Sequence, residues 1–133
     1  MKELKSMNGP NSAISILKRL HQARLDGDIT TMCALFQRTG KFTITGASDG
    51  KPIAVRETTI EQFQPWLTTL VRMFKIDDYE RISEIAENEK SCIVWQCQIR
   101  SKITGLAVQT QLVDVVKTSN GQIASYMEMF TPI

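Results

Sequence analysis

Two carboxylates near the end of the chain have a spacing that could support acid–base chemistry. Asp114 lies seven residues before Gly121 and Glu128 lies seven residues after it, and the letters "TSNG" between the acids are a turn signal. We therefore expect the two acids on the paired strands of a hairpin. A three-residue loop with Gly121 in a left-handed bulge would align both acids on one face, whereas a two-residue Asn-Gly loop would separate them.

Two acids on a shared interior face would change each other's proton affinity. Removal from water and mutual repulsion would raise at least one pKa and leave a carboxyl that exchanges protons near neutral pH. The alternative is structural: a solvated acid at the rim of a pocket, or an ion-pair partner for Arg100 or Arg72. The spacing predicts a candidate site and leaves both interpretations open.

Two further side chains could join this site. Strand alternation places Tyr126 and Phe130 on the same face as Glu128, which would supply a phenol donor and an aromatic wall. His21 lies at the edge of the apolar stripe of a predicted helix. It is either an acid or base in the pocket or an ordinary packed ring.

The outer face of the same hairpin is predicted to contact a second copy of the chain. Alternation turns Met127 and Met129 outward, where apolar sulfur-containing side chains suit a dimer interface or else pack under a loop. Glutamines that alternate along the neighbouring strands would give one face a polar character; they are Gln96, Gln98, Gln109 and Gln111. We expect a homodimer.

The composition indicates one globular domain. The chain has 133 residues and a net charge of +2, with basic residues scattered through every segment, which argues against nucleic-acid binding. No apolar run is long enough to cross a bilayer, and the first residues lack the features of a secretory signal. We expect a flexible tail over residues 1–11, a single domain over residues 12–133 and a cytoplasmic location.

The cysteines and the single histidine do not form a metal-site pattern. Cys92 and Cys97 are an odd step apart on one predicted strand and so point to opposite faces. The cluster needed for a zinc or iron site is missing. We expect no metal and no cofactor, and we expect each cysteine to pack as a small hydrophobe.

A helical period predicts two helices at the start of the domain. The first begins with a cap at Asn11 or Ser12 and ends near Gly27. Asp28 then caps a shorter helix, "ITTMCALFQ", which we expect to end at Gly40.

A third helix is predicted after the loop "ASDGKP". Thr58 and Glu61 resemble a capping box, and Pro65 would kink or restart the helix. From "YERISEIAE" onward the period changes to two, and strands are predicted in "SCIVWQCQIRSK", "LAVQTQLVDVVK" and "QIASYMEMF" after a short earlier strand, "KFTITG". Helices followed by a strand meander indicate an α+β fold with helices on one face of an antiparallel sheet.

The order of these elements resembles the nuclear transport factor 2-like superfamily, in particular its SnoaL-like and ketosteroid-isomerase-like branches. The resemblance rests on a helix ending in "LDGD", on "ALFQRTGKFTITG" and on the closing hairpin "DVVKTSNGQIASYMEMF". It implies a cone-shaped, strongly curved antiparallel sheet wrapped around N-terminal helices, with a pocket at the wide end and a dimer contact on the outer face. Relatives include both enzymes and binding or scaffolding proteins.

The resemblance carries over only part of the ketosteroid-isomerase site. Ile44 stands where that branch has its carboxylate base, and Leu20, next to His21, stands where it has a tyrosine donor. Asp114 matches the protonated aspartate of its oxyanion hole. With one of three roles present, steroid isomerisation by that mechanism is disfavoured.

The epoxide-hydrolase branch is matched in part as well. Glu128 matches one of its acids on the last strand, but Trp95 and Cys97 replace the Arg-x-Asp segment. A ligand pocket in this fold would be lined by Phe130, Trp66, Phe63, Ile44 and Leu20. For Phe63, Trp66 and Trp95 the alternative is ordinary core packing.

Two functional hypotheses follow for this sequence. The first is an acid–base enzyme without metal or cofactor that uses Glu128 and Asp114, with Tyr126 or His21, to isomerise, dehydrate or cyclise a small, mainly apolar organic molecule. The alternative is a non-catalytic ligand-binding or dimerisation module of the same fold.

Overall fold

The computed structural model describes residues 9–48 and 51–133. Most of the predicted tail and the tip of the "ASDGKP" loop lie outside the described residues. The three helices are α1 (Ala13–Asp26), α2 (Ile29–Ala34) and α3 (Ile60–Met73). The six strands are β1 (Phe36–Ser48), β2 (Lys51–Thr59), β3 (Phe74–Ala86), β4 (Lys90–Ser101), β5 (Ala107–Ser119) and β6 (Gln122–Pro132).

Helix α1 begins and ends where its caps predict. The Ser12 hydroxyl accepts a hydrogen bond from the Ser15 amide, and Gly27 closes the helix in the left-handed conformation, with φ of 66°. Seven of its residues are buried, which turns one continuous face of the helix toward the sheet. This helix is the element that carries His21 into the interior.

The predicted end of α2 at Gly40 is wrong. The helix stops at Ala34, because the Leu35 carbonyl accepts a hydrogen bond from the Ile123 amide and the chain enters the sheet at Phe36. Gly40 lies inside β1, where the pairing with β6 shifts register. A Cβ atom there would come within 2.8 Å of the Ile123 carbonyl oxygen, so glycine serves a close strand approach and does not cap the helix.

Helix α3 starts one residue later than predicted. The capping box is formed by Thr59 and Gln62, not by Thr58 and Glu61. The helix runs through Pro65 without restarting, since burial of Ile60 and Phe63 and the cap anchor the turns before it. Ahead of it, the predicted loop "ASDGKP" is shorter than expected, because Ala47 and Ser48 belong to β1 and Lys51 begins β2. The edge strand β2 tolerates Pro52 because an edge position needs fewer backbone donors.

The strands form one sheet in the order β2-β1-β6-β5-β4-β3. Neighbouring strands are antiparallel except for β1 and β6, which run parallel, so the purely antiparallel sheet that was expected is corrected to a mixed one. The sheet is curved and unclosed, with α1 packed against its inner face. No helix among the described residues is long and apolar enough to cross a membrane.

Candidate active site

The β5–β6 hairpin places Asp114 directly opposite Glu128. Its turn is the two-residue Asn-Gly type, in which both turn residues have positive φ (52° and 76°). That turn alone would separate the acids. The pairing then shifts by one residue between Thr118 and Lys117, because Ala124 is an extra residue in β6. This shift brings the two acids into register.

Both acids lie in the interior of the fold. Asp114 is 0% exposed and Glu128 is 4% exposed, and Tyr126 and His21 are also buried. Met127 and Met129 point the other way and are 41% and 40% exposed. The predicted alternation along β6 is confirmed, and the four proposed catalytic side chains share the inner side of the sheet.

Glu128 is held by two donors on one oxygen. The Tyr126 hydroxyl donates to Glu128 Oε2 at 2.6 Å, and Arg24 Nη1 donates to the same oxygen. Arg24 Nη1 also lies 3.3 Å from the Tyr126 hydroxyl, and its guanidinium is 5.2 Å from the centre of the Trp95 ring. These contacts fix the Arg24 side chain between α1 and the sheet.

Sequence reasoning missed Arg24. It lies three residues after His21 on α1, so both side chains project from the same helix face, and that spacing is the signal that could have found it. Burial alone would lower the pKa of Arg24, but Glu128, Tyr126 and Asp114 together outweigh burial and raise it. Arg24 is therefore a fixed positive charge beside the acid pair.

Asp114 is held by a separate set of groups. His21 Nε2 lies 2.5 Å and Trp95 Nε1 lies 2.9 Å from Asp114 Oδ2, and the other ring nitrogen of His21 lies 2.6 Å from the Tyr79 hydroxyl. Asp114 Oδ1 is buried and has no donor among the described residues. A proton carried by Glu128 would supply the missing donor.

Burial raises the proton affinity of both acids. It raises the pKa of Asp114 and brings that of Glu128 to about 7, with Arg24 offsetting part of the effect in each case. The charge of Asp114 raises the Glu128 pKa further. Because Arg24 contributes one positive charge, one proton shared by the two acids leaves this buried group neutral.

His21 is neutral in this environment. Burial, followed by the charge of Arg24, lowers its pKa to about 3. Burial also raises the pKa of Tyr126 well above its usual value, so the phenol keeps its proton and donates to Glu128. The group that exchanges a proton near neutral pH is the acid pair.

Comparison with solved structures identifies the fold. An NTF2-like protein from Burkholderia xenovorans LB400 is 17% identical, with 94% of this chain and 92% of that chain covered and a TM-score of 0.69. An LEH-like epoxide hydrolase from M. tuberculosis is 14% identical, with coverages of 89% and 81% and a TM-score of 0.68. A hypothetical protein of ketosteroid isomerase-like fold from Catenulispora acidiphila DSM 44928, in complex with trimethylamine, is 14% identical, with coverages of 85% and 82% and a TM-score of 0.65.

The chain has the nuclear transport factor 2-like fold. The sequence itself matches no protein-family model and no curated protein. At these levels of identity the structural neighbours establish the fold alone, and any activity has to be argued from the site.

The expected pocket-lining residues have different places in this nuclear transport factor 2-like fold. Ile44 pairs with Glu128 across β1 and β6 and is partly buried, and Leu20 is buried on α1. Phe63 is buried in a stack with the core ring of Phe42, 4.2 Å between centres. Trp66 is 68% exposed on α3 and is not brought to the acid pair.

Phe130 is the aromatic side chain that follows Glu128 along β6. It lies two residues beyond Glu128 on the same face and is partly buried. Its ring packs directly on Gly46, where a Cβ atom would come within 2.5 Å of the ring carbons. Glycine at this position therefore leaves the space that the Phe130 ring occupies.

The cavities described for this structure lie away from the acids. One of about 440 Å³ lies between the start of α1 and the β5–β6 turn, and a shallower one of about 120 Å³ lies at the β3–β4 turn. Within residues 9–48 and 51–133, no three His, Cys, Asp or Glu side chains are grouped so that they could hold a metal ion.

Proposed function

We propose that the protein is a cofactor-independent acid–base enzyme that isomerises, dehydrates or cyclises a small, mainly apolar organic molecule. Glu128 is the group that takes a proton from the substrate and returns it. The single observation that carries this proposal is the buried pair of acids, Asp114 and Glu128, registered opposite each other beside the fixed charge of Arg24.

The acid pair has the proton affinity that such a reaction needs. A carboxyl with a pKa of about 7 is present in both its acid and its base form at neutral pH. In an isomerisation, the Glu128 carboxylate would remove a proton from a carbon next to a carbonyl and return it at a different carbon. In a dehydration, the same proton would leave with the departing hydroxyl as water.

The other groups of the cluster would hold the two acids in position and stabilise the ionised form of Glu128. Tyr126 and Arg24 hold Glu128 Oε2, and an ionised Glu128 is compensated by the guanidinium while the substrate holds the proton. Asp114 stays in place through Trp95 and His21. Its charge raises the pKa of Glu128 and so keeps that acid usable as a proton carrier.

The substrate-binding side is predicted to be apolar. Ile44 pairs with Glu128 and with Val55 across neighbouring strands, and Phe130 follows Glu128 on β6. All three apolar side chains are partly buried, which suits a hydrocarbon surface.

The test is a turnover screen with ketone, epoxide and polyketide-like substrates. Glu128→Gln keeps the size of a protonated glutamate but cannot exchange the proton, so any turnover should fall by roughly a hundredfold or more. Glu80→Gln, an exposed substitution on β3, is the matched control and should keep full activity. A substrate turned over equally well by Glu128→Gln would contradict the role given to Glu128.

A non-catalytic binding module is the second candidate. It is favoured by the complete burial of Asp114 and by the distance of the described cavities from the acid pair. Such a protein would bind ligands without converting them, and Glu128→Gln would leave both binding and the absence of turnover unchanged.

We also propose that the protein is a homodimer through the outer face of the sheet. The registers place five apolar side chains side by side across β4, β5 and β6 on this face: Val94, Val113, Val115, Met127 and Met129. The adjoining cross-strand pairs are glutamines, with Gln96 Nε2 donating to Gln111 Oε1 at 3.3 Å. An apolar centre beside polar, uncharged side chains is the usual composition of a subunit interface.

A cytoplasmic location belongs to the same proposal. The three cysteines of the chain are free, as is usual in a reducing compartment. Burial raises the pKa of Cys97 to about 11, which suits a packed side chain and not a nucleophile.

A further inference from the structure

A row of hydrogen-bonding groups leads from the acid pair to the edge of the sheet. Asp114 lies on β5, His21 on α1 and Tyr79 on β3, and β3 is an edge strand. We propose that Tyr79 and His21 conduct protons between the buried carboxyl pair and solvent. This path would serve the acid–base function proposed above, but its existence can be measured without any substrate.

The distances along this path are those of direct hydrogen bonds. The Tyr79 hydroxyl lies 2.6 Å from His21 Nδ1, and His21 Nε2 lies 2.5 Å from Asp114 Oδ2. Asp114 and His21 are buried, whereas Tyr79 is partly exposed. The path therefore begins at the acid pair and ends at a side chain that reaches water.

A bulge in β3 directs Tyr79 into this position. The pairing of β3 with β4 shifts between Asp77 and Glu80, and Asp78 within the shift has a positive φ of 54°. Such bulges redirect side chains and are common beside active sites. The Tyr79 ring then packs edge-on against His21, with centres 5.6 Å apart, and against Trp95 at 5.2 Å.

The donors of the cluster fix the direction of each hydrogen bond. Asp114 Oδ2 also accepts from the Trp95 indole, so it acts as an unprotonated oxygen, and His21 Nε2 carries the hydrogen that it donates to Asp114. His21 Nδ1 is then an acceptor, and the Tyr79 hydroxyl donates to it.

This arrangement can pass a proton inward without leaving a charge on Tyr79 or His21. A hydronium ion gives a proton to the Tyr79 oxygen and becomes water, as the Tyr79 hydrogen moves to His21 Nδ1 and the Nε2 hydrogen moves to Asp114 Oδ2. One proton enters and one reaches the acid pair, while His21 changes only its tautomer. In the new tautomer Nδ1 donates to Tyr79, so the reverse sequence carries a proton outward.

The other groups that contact the acid pair cannot conduct a proton between it and solvent. The Trp95 indole donates but cannot accept, and Arg24 does not release its proton. The Tyr126 hydroxyl can do both, but it is buried and its partners, such as Arg24 and Glu128, belong to the cluster itself, so it does not connect the acid pair to solvent. Tyr79 also experiences the charges of Arg81 and Glu84 on its own strand, of Arg24 on α1 and of Asp114 on β5.

The two tyrosines of the chain allow a matched experiment. A light-induced pH jump is applied, and uptake of a proton by the buried acid pair is followed as the infrared signal of a protonated carboxyl. Tyr79→Phe should keep the equilibrium midpoint of wild type and slow the relaxation by roughly tenfold or more, since uptake then needs local opening. Tyr126→Phe should raise the midpoint, because Glu128 loses a donor, and keep the fast relaxation.

The proposal is overturned if Tyr79→Phe relaxes as fast as wild type. It is also overturned if no carboxyl of the wild-type protein titrates near pH 7. Phenylalanine keeps the ring contacts with His21 and Trp95, and equal thermal unfolding would show that the fold is retained. His21→Gln is the second variant and should slow the relaxation as well. A failed substrate screen leaves these expectations unchanged, and an unaltered relaxation in Tyr79→Phe would overturn the proton path without bearing on the role of Glu128, so these two results distinguish the proposals.

Discussion

At the scale of single residues, the proton of Glu128 links the candidate chemistry to stability. Burial raises the pKa of this acid from 4.5 to about 7, so the folded protein holds a proton that the unfolded chain releases between these values. His21 has the opposite linkage, because its pKa falls from 6.5 to about 3 and the unfolded chain binds the extra proton. Glu128 and His21 therefore change the free energy of unfolding in opposite directions at the pH values where both pKa shifts act.

The pH dependence of unfolding should separate these effects. The contribution of Glu128 is fully present below 4.5 and is lost as the pH rises through about 7. The free energy of unfolding of wild type should therefore fall relative to Glu128→Gln across this window, by on the order of 3 kcal/mol. Urea unfolding of both proteins at a series of pH values measures the difference.

The control for this measurement is Glu80→Gln, whose acid is exposed on β3. It should follow the wild-type curve at every pH. A difference between wild type and Glu128→Gln that does not change with pH would mean that Glu128 has the same pKa in the folded and unfolded protein.

At the scale of elements, the sequence predicted the periods and the caps of α1 well, and it predicted strand register poorly. The caps of α1 and the strands β4, β5 and β6 follow from local signals that are close together in the chain. The alignment of Asp114 with Glu128 depends on an extra residue in β6, and no local signal in "QIASYM" marks Ala124 as that residue. Sequence reasoning left the alignment open for this reason.

Long-range contacts explain the other differences between the predicted and the observed structure. Gly40 reads as a helix end, but its role is set by the Ile123 carbonyl of a strand more than eighty residues away. The edge strand β2 shows little alternation because most of its described side chains are exposed, and so no strand was predicted there. Arg24 and Tyr79 join the site only through the packing of α1 and β3 on the sheet, which composition and period do not specify.

At the scale of the whole molecule, the proposed homodimer can be tested separately from the acid pair. The apolar patch around Met127 and Met129 lies on the face opposite the acid pair, so disrupting it should not alter the site. Sedimentation of wild type should give about twice 15.0 kDa. Met127→Lys places a charge in the patch and should shift the protein toward monomer.

Ile103→Lys provides the control for this experiment. Ile103 is also an exposed apolar residue, but it lies in the β4–β5 turn and off the patch. This variant should sediment as wild type does. A wild-type protein that is monomeric at micromolar concentration would contradict the dimer.

The most direct test of the central claim is the titration of the Glu128 carboxyl carbon by NMR, assigned by its loss in Glu128→Gln. A buried pair that shares one proton beside Arg24 predicts a midpoint of about 7, and Asp114→Asn should lower it because the neighbouring charge is removed. A midpoint near 4.5 in wild type would contradict the account, since Glu128 would then be a permanently ionised partner of Arg24 with no proton to exchange.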